Sequence, residues 1–399
     1  MLNYHFLLDL AIILIGTKFL GIITRKIQMP QVVGALLAGL ILGPAVLGWI
    51  HETEFIKQMA ELGVIVLMFN AGLETDLNEL KKCGKASFII ALFGVLVPLA
   101  GGFGIAMLFN SGNSQPMNTK LILENIFIGI VLTATSVSIT VETLRELGKL
   151  NTPSGTAILG AALIDDILGI IALTIITSVA DSSVSLGIVL LKILGFFVFA
   201  LAVGIPFYFA FHKYSEKQRQ RRRFVIIAFS FCLTMSFIAE HFFGVANITG
   251  AFIAGLVISN TTHSHYINRR FDITSYVLLS PIFFASIGVS VSLTGMNSTI
   301  IIFSILLLVV AILSKIIGCG IEALACKYSR QESLRIGVGM ISRGEVALIV
   351  ASKGAAVGLI NTLYFGPIIV MVVVTTIITP ILLKLVYSRG KNEELASAS

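Results

Sequence analysis

Thirteen apolar stretches of about 17–27 residues follow one another along the chain, at roughly 6–23, 30–49, 56–73, 85–109, 121–143, 154–180, 185–211, 224–242, 244–260, 273–293, 298–325, 334–356 and 362–387. At 1.5 Å per helical residue, about 20 residues cross the ~30 Å hydrocarbon core of a bilayer. Hydrocarbon offers no partner to a backbone N–H or C=O, so each stretch is expected to be helical. Composition agrees: 56% of the 399 residues are hydrophobic and only 12% are charged, against about 25% charged in a typical soluble domain. Such a chain cannot cover itself in water, and its net charge of +7 does not point to nucleic acid. The expected fold class is an all-α polytopic membrane protein of about thirteen transmembrane helices. The first stretch lacks the positive leader of a secretory signal and reads as a retained helix. The four cysteines show no metal-ligand spacing and are expected to be reduced thiols.

The basic residues set the topology. Alternate loops carry Arg25 and Lys26, Lys81, Lys82 and Lys85, Arg145 and Lys149, a cluster from Lys213 to Arg223, Arg269 and Arg270, and Lys327, Arg330 and Arg335; the tail adds more. The opposite loops hold only Lys57, Lys120 and Lys353. Positive loops stay inside. The N-terminus is therefore expected outside a cytoplasmic membrane and the C-terminus in the cytoplasm.

The chain also repeats itself. Gly34–Leu40 (GALLAGL) matches Gly250–Leu256 (GAFIAGL), and the same offset of 216 pairs Gly72 with Gly288 and Leu77 with Leu293. Small residues at such spacing serve close helix packing, but one offset holding at two places signals a repeat. Seven helices separate equivalent positions, so the halves run in opposite senses, as in secondary transporters. The expected organisation is a first inverted six-helix repeat over 1–183, a linker helix with its basic loop over 184–223, a second repeat over 224–387 and a short tail over 388–399.

A few polar groups lie deep inside these helices. Asp165 and Asp166 sit about 17 Å from one end of theirs, at mid-membrane. Ionisable groups there cost about 2.5–3.5 kcal/mol even on insertion scales and are functional by default. Neighbours on a helix point about 100° apart, so one carboxylate can face a partner while the other faces a cavity. A carboxylate that exchanges a proton for a cation suffices for antiport. Lys315 is the natural counter-charge and a candidate carrier of a second proton. Thr133–Ser138 and Ser342–Glu345 read as interruptions of two helices in equivalent positions of the halves, exposing backbone groups at mid-membrane. Arg343 and Glu345 are expected to support the broken ends. Asn70, Glu74 and Asp76 read as a solvated helix end, and His263 and His265 as solvated loop histidines. An intramembrane aspartyl protease needs its two aspartates on facing helices, so enzymatic activity is not expected.

These residues resemble the monovalent cation:proton antiporter-2 superfamily, in particular its bacterial Na⁺/H⁺ antiporters. Gly34–Pro44 (GALLAGLILGP), Phe69–Asp76 (FNAGLETD), Thr133–Thr140 (TATSVSIT), Ala161–Gly169 (AALIDDILG) and Ser342–Ile349 (SRGEVALI) stand in the family's order. The resemblance implies a core domain with crossed broken helices moving as an elevator against a dimerisation domain in a homodimer. It implies Asp166 and Asp165 as ligands of the transported Na⁺ or Li⁺, with Thr135 and Ser136 beside them. Lys315 pairs with Asp165, Thr133, Ser138, Arg343 and Glu345 support the breaks, and no cofactor is required. Two adjacent aspartates imply electrogenic exchange. The alternatives are electroneutral K⁺/H⁺ exchange and a germination- or pH-linked cation transporter on the same fold.

Overall fold

The computed structural model describes residues 4–26, 29–111, 119–180, 186–217, 221–261, 263–290, 298–356, 358–360 and 364–397, and among them every regular element is helical. The helices are α1 (His5–Lys26), α2 (Gln31–Leu42), α3 (Glu54–Glu74), α4 (Leu77–Ser111), α5 (Thr119–Thr133), α6 (Val137–Glu146), α7 (Pro153–Ala180) and α8 (Leu186–Lys217). They continue as α9 (Arg221–Phe243), α10 (Asn247–Ser259), α11 (Ser264–Thr274), α12 (Ser280–Val289), α13 (Ser298–Ala325), α14 (Arg330–Gly339), α15 (Glu345–Ala356) and α16 (Phe365–Ser397).

Every apolar stretch of the sequence contains helix. Among the described residues, ten spans are long and apolar enough to cross a bilayer, and α2 and α10 are shorter apolar helices. Two stretches are interrupted. The first breaks between α5 and α6, the second between α14 and α15. Large apolar side chains such as Ile15, Leu191 and Ile321 are at least 60% exposed. In water that would be a liability; against lipid it is the expected outer surface.

Local chemistry sets several boundaries. The Thr53 side chain accepts a hydrogen bond from the Ile56 N–H and starts α3. Ser329 and Glu332 form a reciprocal capping box that starts α14. The basic segment around His263 and His265 differs from the loop expected of it. It forms α11, joined to α12 through a π-helical turn at Ser275–Leu279. The reason is an amphipathic pattern: Ile267 and Phe271 are buried while the arginines stay outside. His263 stacks on Phe224, with centroids 4.9 Å apart.

The repeated glycines make matching contacts. A Cβ on Gly39 of α2 would lie 2.0 Å from the Ala285 carbonyl oxygen of α12, and one on Gly288 2.3 Å from the Leu40 nitrogen. At the same offset, a Cβ on Gly255 of α10 would lie 2.2 Å from the Phe69 oxygen of α3, and one on Gly72 2.2 Å from the Phe252 oxygen. Gly34 meets the backbone of Leu20 and Gly21, and Gly250 that of Met235 and Ser236. The α2–α12 and α10–α3 contacts thus use glycines at the same offset of 216.

Backbone at that distance cannot move aside as a side chain can. Gly255→Val is therefore expected to force α3 and α10 apart and cost at least the 1–3 kcal/mol typical of overpacking. A lower melting temperature and loss of monodisperse protein in detergent would register it. Gly84→Ala is the control, since a Cβ there meets nothing within 4 Å and should leave the melt unchanged.

Candidate functional site

The two interrupted helices meet at their breaks. α5 ends at Thr133 and α6 starts at Val137, with Ser136 in extended backbone at the N-cap. The Ser136 N–H donates to the Ser342 carbonyl at 2.8 Å, tying one break to the other. Gly344 permits the approach, because a Cβ there would lie 2.6 Å from Ser136 Oγ. Ser136 and Ser138 share a hydroxyl contact of 3.2 Å, and the Thr140 hydroxyl donates to the Gly339 carbonyl at 2.8 Å. The unwound segment is narrower than its polar run suggested. Thr133 is still helical and turns its hydroxyl back to the Ile130 carbonyl at 2.7 Å, and Ser138 already belongs to α6. Thr135 and Ser136 lie in the unwound stretch itself, each about 1% exposed.

Beside this junction lies the charge. Asp165 and Asp166, on α7, are 2% and 7% exposed, and Lys315 on α13 is fully buried. Lys315 Nζ donates to Asp165 Oδ1 at 3.0 Å, while Asp165 Oδ2 accepts no hydrogen bond. A lysine reaching for an interface would not end here; it stays in the protein interior. Arg343 is also fully buried, but it forms no ion pair among the described residues. Its guanidinium donates to the Met340 and Ala311 carbonyls at 3.3 Å each, and its own carbonyl accepts from the Thr376 hydroxyl. It therefore satisfies one carbonyl at the second break, that of Met340, and one on α13, that of Ala311. Glu345 opens α15, and its side chain lies outside the described residues.

Sequence reasoning missed two contributors and misread a third residue. Gly94 on α4 faces the ion pair, and a Cβ there would stand 3.5 Å from Lys315 Nζ and 3.6 Å from Asp165 Oδ1. Thr376 secures Arg343, and its neighbours Thr375 and Thr379 are equally buried. Three threonines inside one apolar helix were the available signal. Asn70 is fully buried, and neither amide atom has a hydrogen-bond partner, so it is no solvated helix end. Glu74 is not one either. It receives Arg145 Nε on both oxygens at 3.0 and 3.1 Å, and Asn268 at 2.8 Å. Arg145 also reaches Asp272 at 2.7 Å, so α6 is fastened to α3 and α11 on the basic side of the molecule.

The arrangement places two buried carboxylates on α7, an ammonium on α13 against one of them, and unwound backbone nearby. No group of three His, Cys, Asp or Glu side chains that could hold a metal ion occurs among the described residues.

Comparison with known proteins gives one answer. The chain is 39% identical over 401 residues to the Na(+)/H(+)-K(+) antiporter GerN of Bacillus cereus, covering 100% of both. It is 37% identical to a Na(+)/H(+) antiporter of Enterococcus hirae, over 94% of this chain and 96% of that one. Its fold matches the sodium proton antiporter MjNhaP1 of Methanocaldococcus jannaschii, with a TM-score of 0.69 at 18% identity over 95% of each chain. The profile described as sodium/hydrogen exchanger, transmembrane, matches residues 11–388, and the chain belongs to that family.

Proposed function

We propose that this protein is a secondary active antiporter of the bacterial cytoplasmic membrane that exchanges Na⁺ or Li⁺ for protons electrogenically at Asp166 and Asp165. The observation that carries the reading is the buried Lys315–Asp165 ion pair one residue from Asp166. In the proton-loaded form Asp166 is protonated and Lys315 holds its charge against Asp165, so the three groups sum to zero. Arrival of Na⁺ at the two carboxylates displaces the Asp166 proton and breaks the pair. Lys315 then loses its proton, and the loaded site carries one net negative charge. Two protons therefore move against one cation, and the membrane potential acts on the difference.

The crossed breaks supply further ligands and the hinge. Thr135 and Ser136 lie where unwound backbone is freed at mid-membrane. Matching glycine contacts between α2–α12 and α10–α3 support inverted repeats over 1–183 and 224–387 joined by a linker over 184–223. In the elevator reading, α4 to α7 and α13 to α16 carry the site past the remaining helices, within a homodimer and with the N-terminus outside. Thirteen crossings follow if the interrupted stretch over α14 and α15 and the short helices α2 and α10 each traverse the bilayer.

The printed name of the B. cereus relative includes potassium, which makes K⁺ the competing cargo. Proteoliposomes with an imposed pH gradient separate the readings. Addition of Na⁺ or Li⁺ is expected to collapse the gradient at a rate that rises with membrane potential, whereas K⁺ leaves it standing. Equal rates with K⁺ and no response to potential would replace this reading by electroneutral K⁺/H⁺ exchange.

A further inference from the structure

A cavity of about 960 Å³ separates α4 and α7 on one side from α8 and α10 on the other. It runs along α8 from Phe197 to Phe209, about 18 Å of helix. Gly84, Ile164 and Ile167 form one wall, Gly204 and Phe252 part of the other. Leu201, Ile205 and Phe209 line it and are also 63%, 53% and 64% exposed, so the cleft opens sideways to lipid. Between its ends the lining is apolar but for the Ser87 and Thr249 hydroxyls, too few for water, which needs two to four polar partners. At this depth the available filler is hydrocarbon.

The two ends differ in chemistry. Tyr208 and Asn260 line the end where α4 begins and α8 and α10 finish. Lys81 stands one turn before Gly84 on α4, and Lys213 one turn beyond Phe209 on α8; both are exposed. Residues three and four apart share a helix face, so the two ammonium groups flank that mouth. Basic pockets between transmembrane helices on the positive side hold anionic headgroups.

We infer that this cleft binds one anionic phospholipid, an acyl chain lying against Ile164 and Ile167 of α7 and the phosphate held by Lys81 and Lys213. The site stands whatever cargo the chain carries. Its position matters because the chain would press on the helix that bears Asp165 and Asp166, at the seam between α7 and α8.

Full-length protein, purified in detergent and stripped of lipid, tests this. Melting is followed while dioleoylphosphatidylglycerol or dioleoylphosphatidylcholine is added, and native mass spectrometry counts the lipid retained. Phosphatidylglycerol is expected to protect at about thirtyfold lower concentration than phosphatidylcholine, the equivalent of about 2 kcal/mol for two lysines at a membrane surface. Lys81→Ser with Lys213→Ser should remove that preference, and Lys192→Ser, near the start of α8, should keep it. Gly84→Leu places a side chain in the cleft where nothing lies within 4 Å of a Cβ. It should melt no lower than the parent without lipid, and both lipids should protect it less. Equal potency of the two lipids, a preference surviving loss of both lysines, or full protection of Gly84→Leu would each overturn the assignment.

Discussion

Asp166→Asn is expected to reduce cation-driven proton movement to the level of empty vesicles while the protein folds and melts as before. Asparagine keeps the shape of aspartate but can neither release a proton nor offer a carboxylate to a cation. Both halves of the exchange are lost in one atom change. The fold should tolerate it, because Asp166 is only 7% exposed and a buried charge contributes desolvation cost that a neutral amide avoids. Equal or higher melting temperature with no transport is therefore the signature. Retained Na⁺-dependent proton flux in Asp166→Asn would sink the mechanism, while a misfolded variant would place Asp166 in the structure and not in the exchange. Asp165→Asn differs in kind. It leaves Lys315 buried without its partner, so it should lower the melting temperature as well as transport.

The sequence made the helices legible because hydrocarbon dictates them. A run of twenty apolar residues has one satisfied backbone conformation in lipid, and no tertiary contact need be known to read it. Asp165, Asp166 and Lys315 were legible for the same reason, since nothing but a partner or a function holds a charge at that depth. Their pairing at 3.0 Å was expected and is seen. The breaks were harder. Thr133–Ser138 reads as one polar run, but only three of its residues leave the helix, because Thr133 turns its hydroxyl back to the Ile130 carbonyl and Ser138 already belongs to α6. A hydroxyl that bonds to the preceding turn looks the same in sequence as one that faces an ion. Glu74 was misread for a related reason. It lies near a helix end and looks solvated until the neighbouring helices α3, α6 and α11 are brought together. Arg343 shows the limit on the other side. Its charge was plain in the sequence, but its partners are carbonyls of Met340 and Ala311, which no composition or period reveals.

Lys315→Met should produce the largest loss of stability at the site, and its repair should change how exchange responds to voltage. The single variant leaves the Asp165 carboxylate 2% exposed with no cation against it, and removing one partner of a buried pair costs about 3–5 kcal/mol. Melting in detergent reads that loss. Replacing both partners, Lys315→Met with Asp165→Asn, removes the stranded charge, and apolar or neutral replacements of whole buried pairs are often close to neutral. The double variant should then melt near the parent. It retains Asp166, which can still trade one proton for one cation. One for one carries no net charge, so flux in the double variant should persist and no longer respond to potential. A single variant that melts like the parent would mean the ion pair does not hold α7 to α13. A double variant that still accelerates with membrane potential would mean that the second proton travels on some group other than Lys315, and the charge balance proposed for the site would have to be rebuilt around that group.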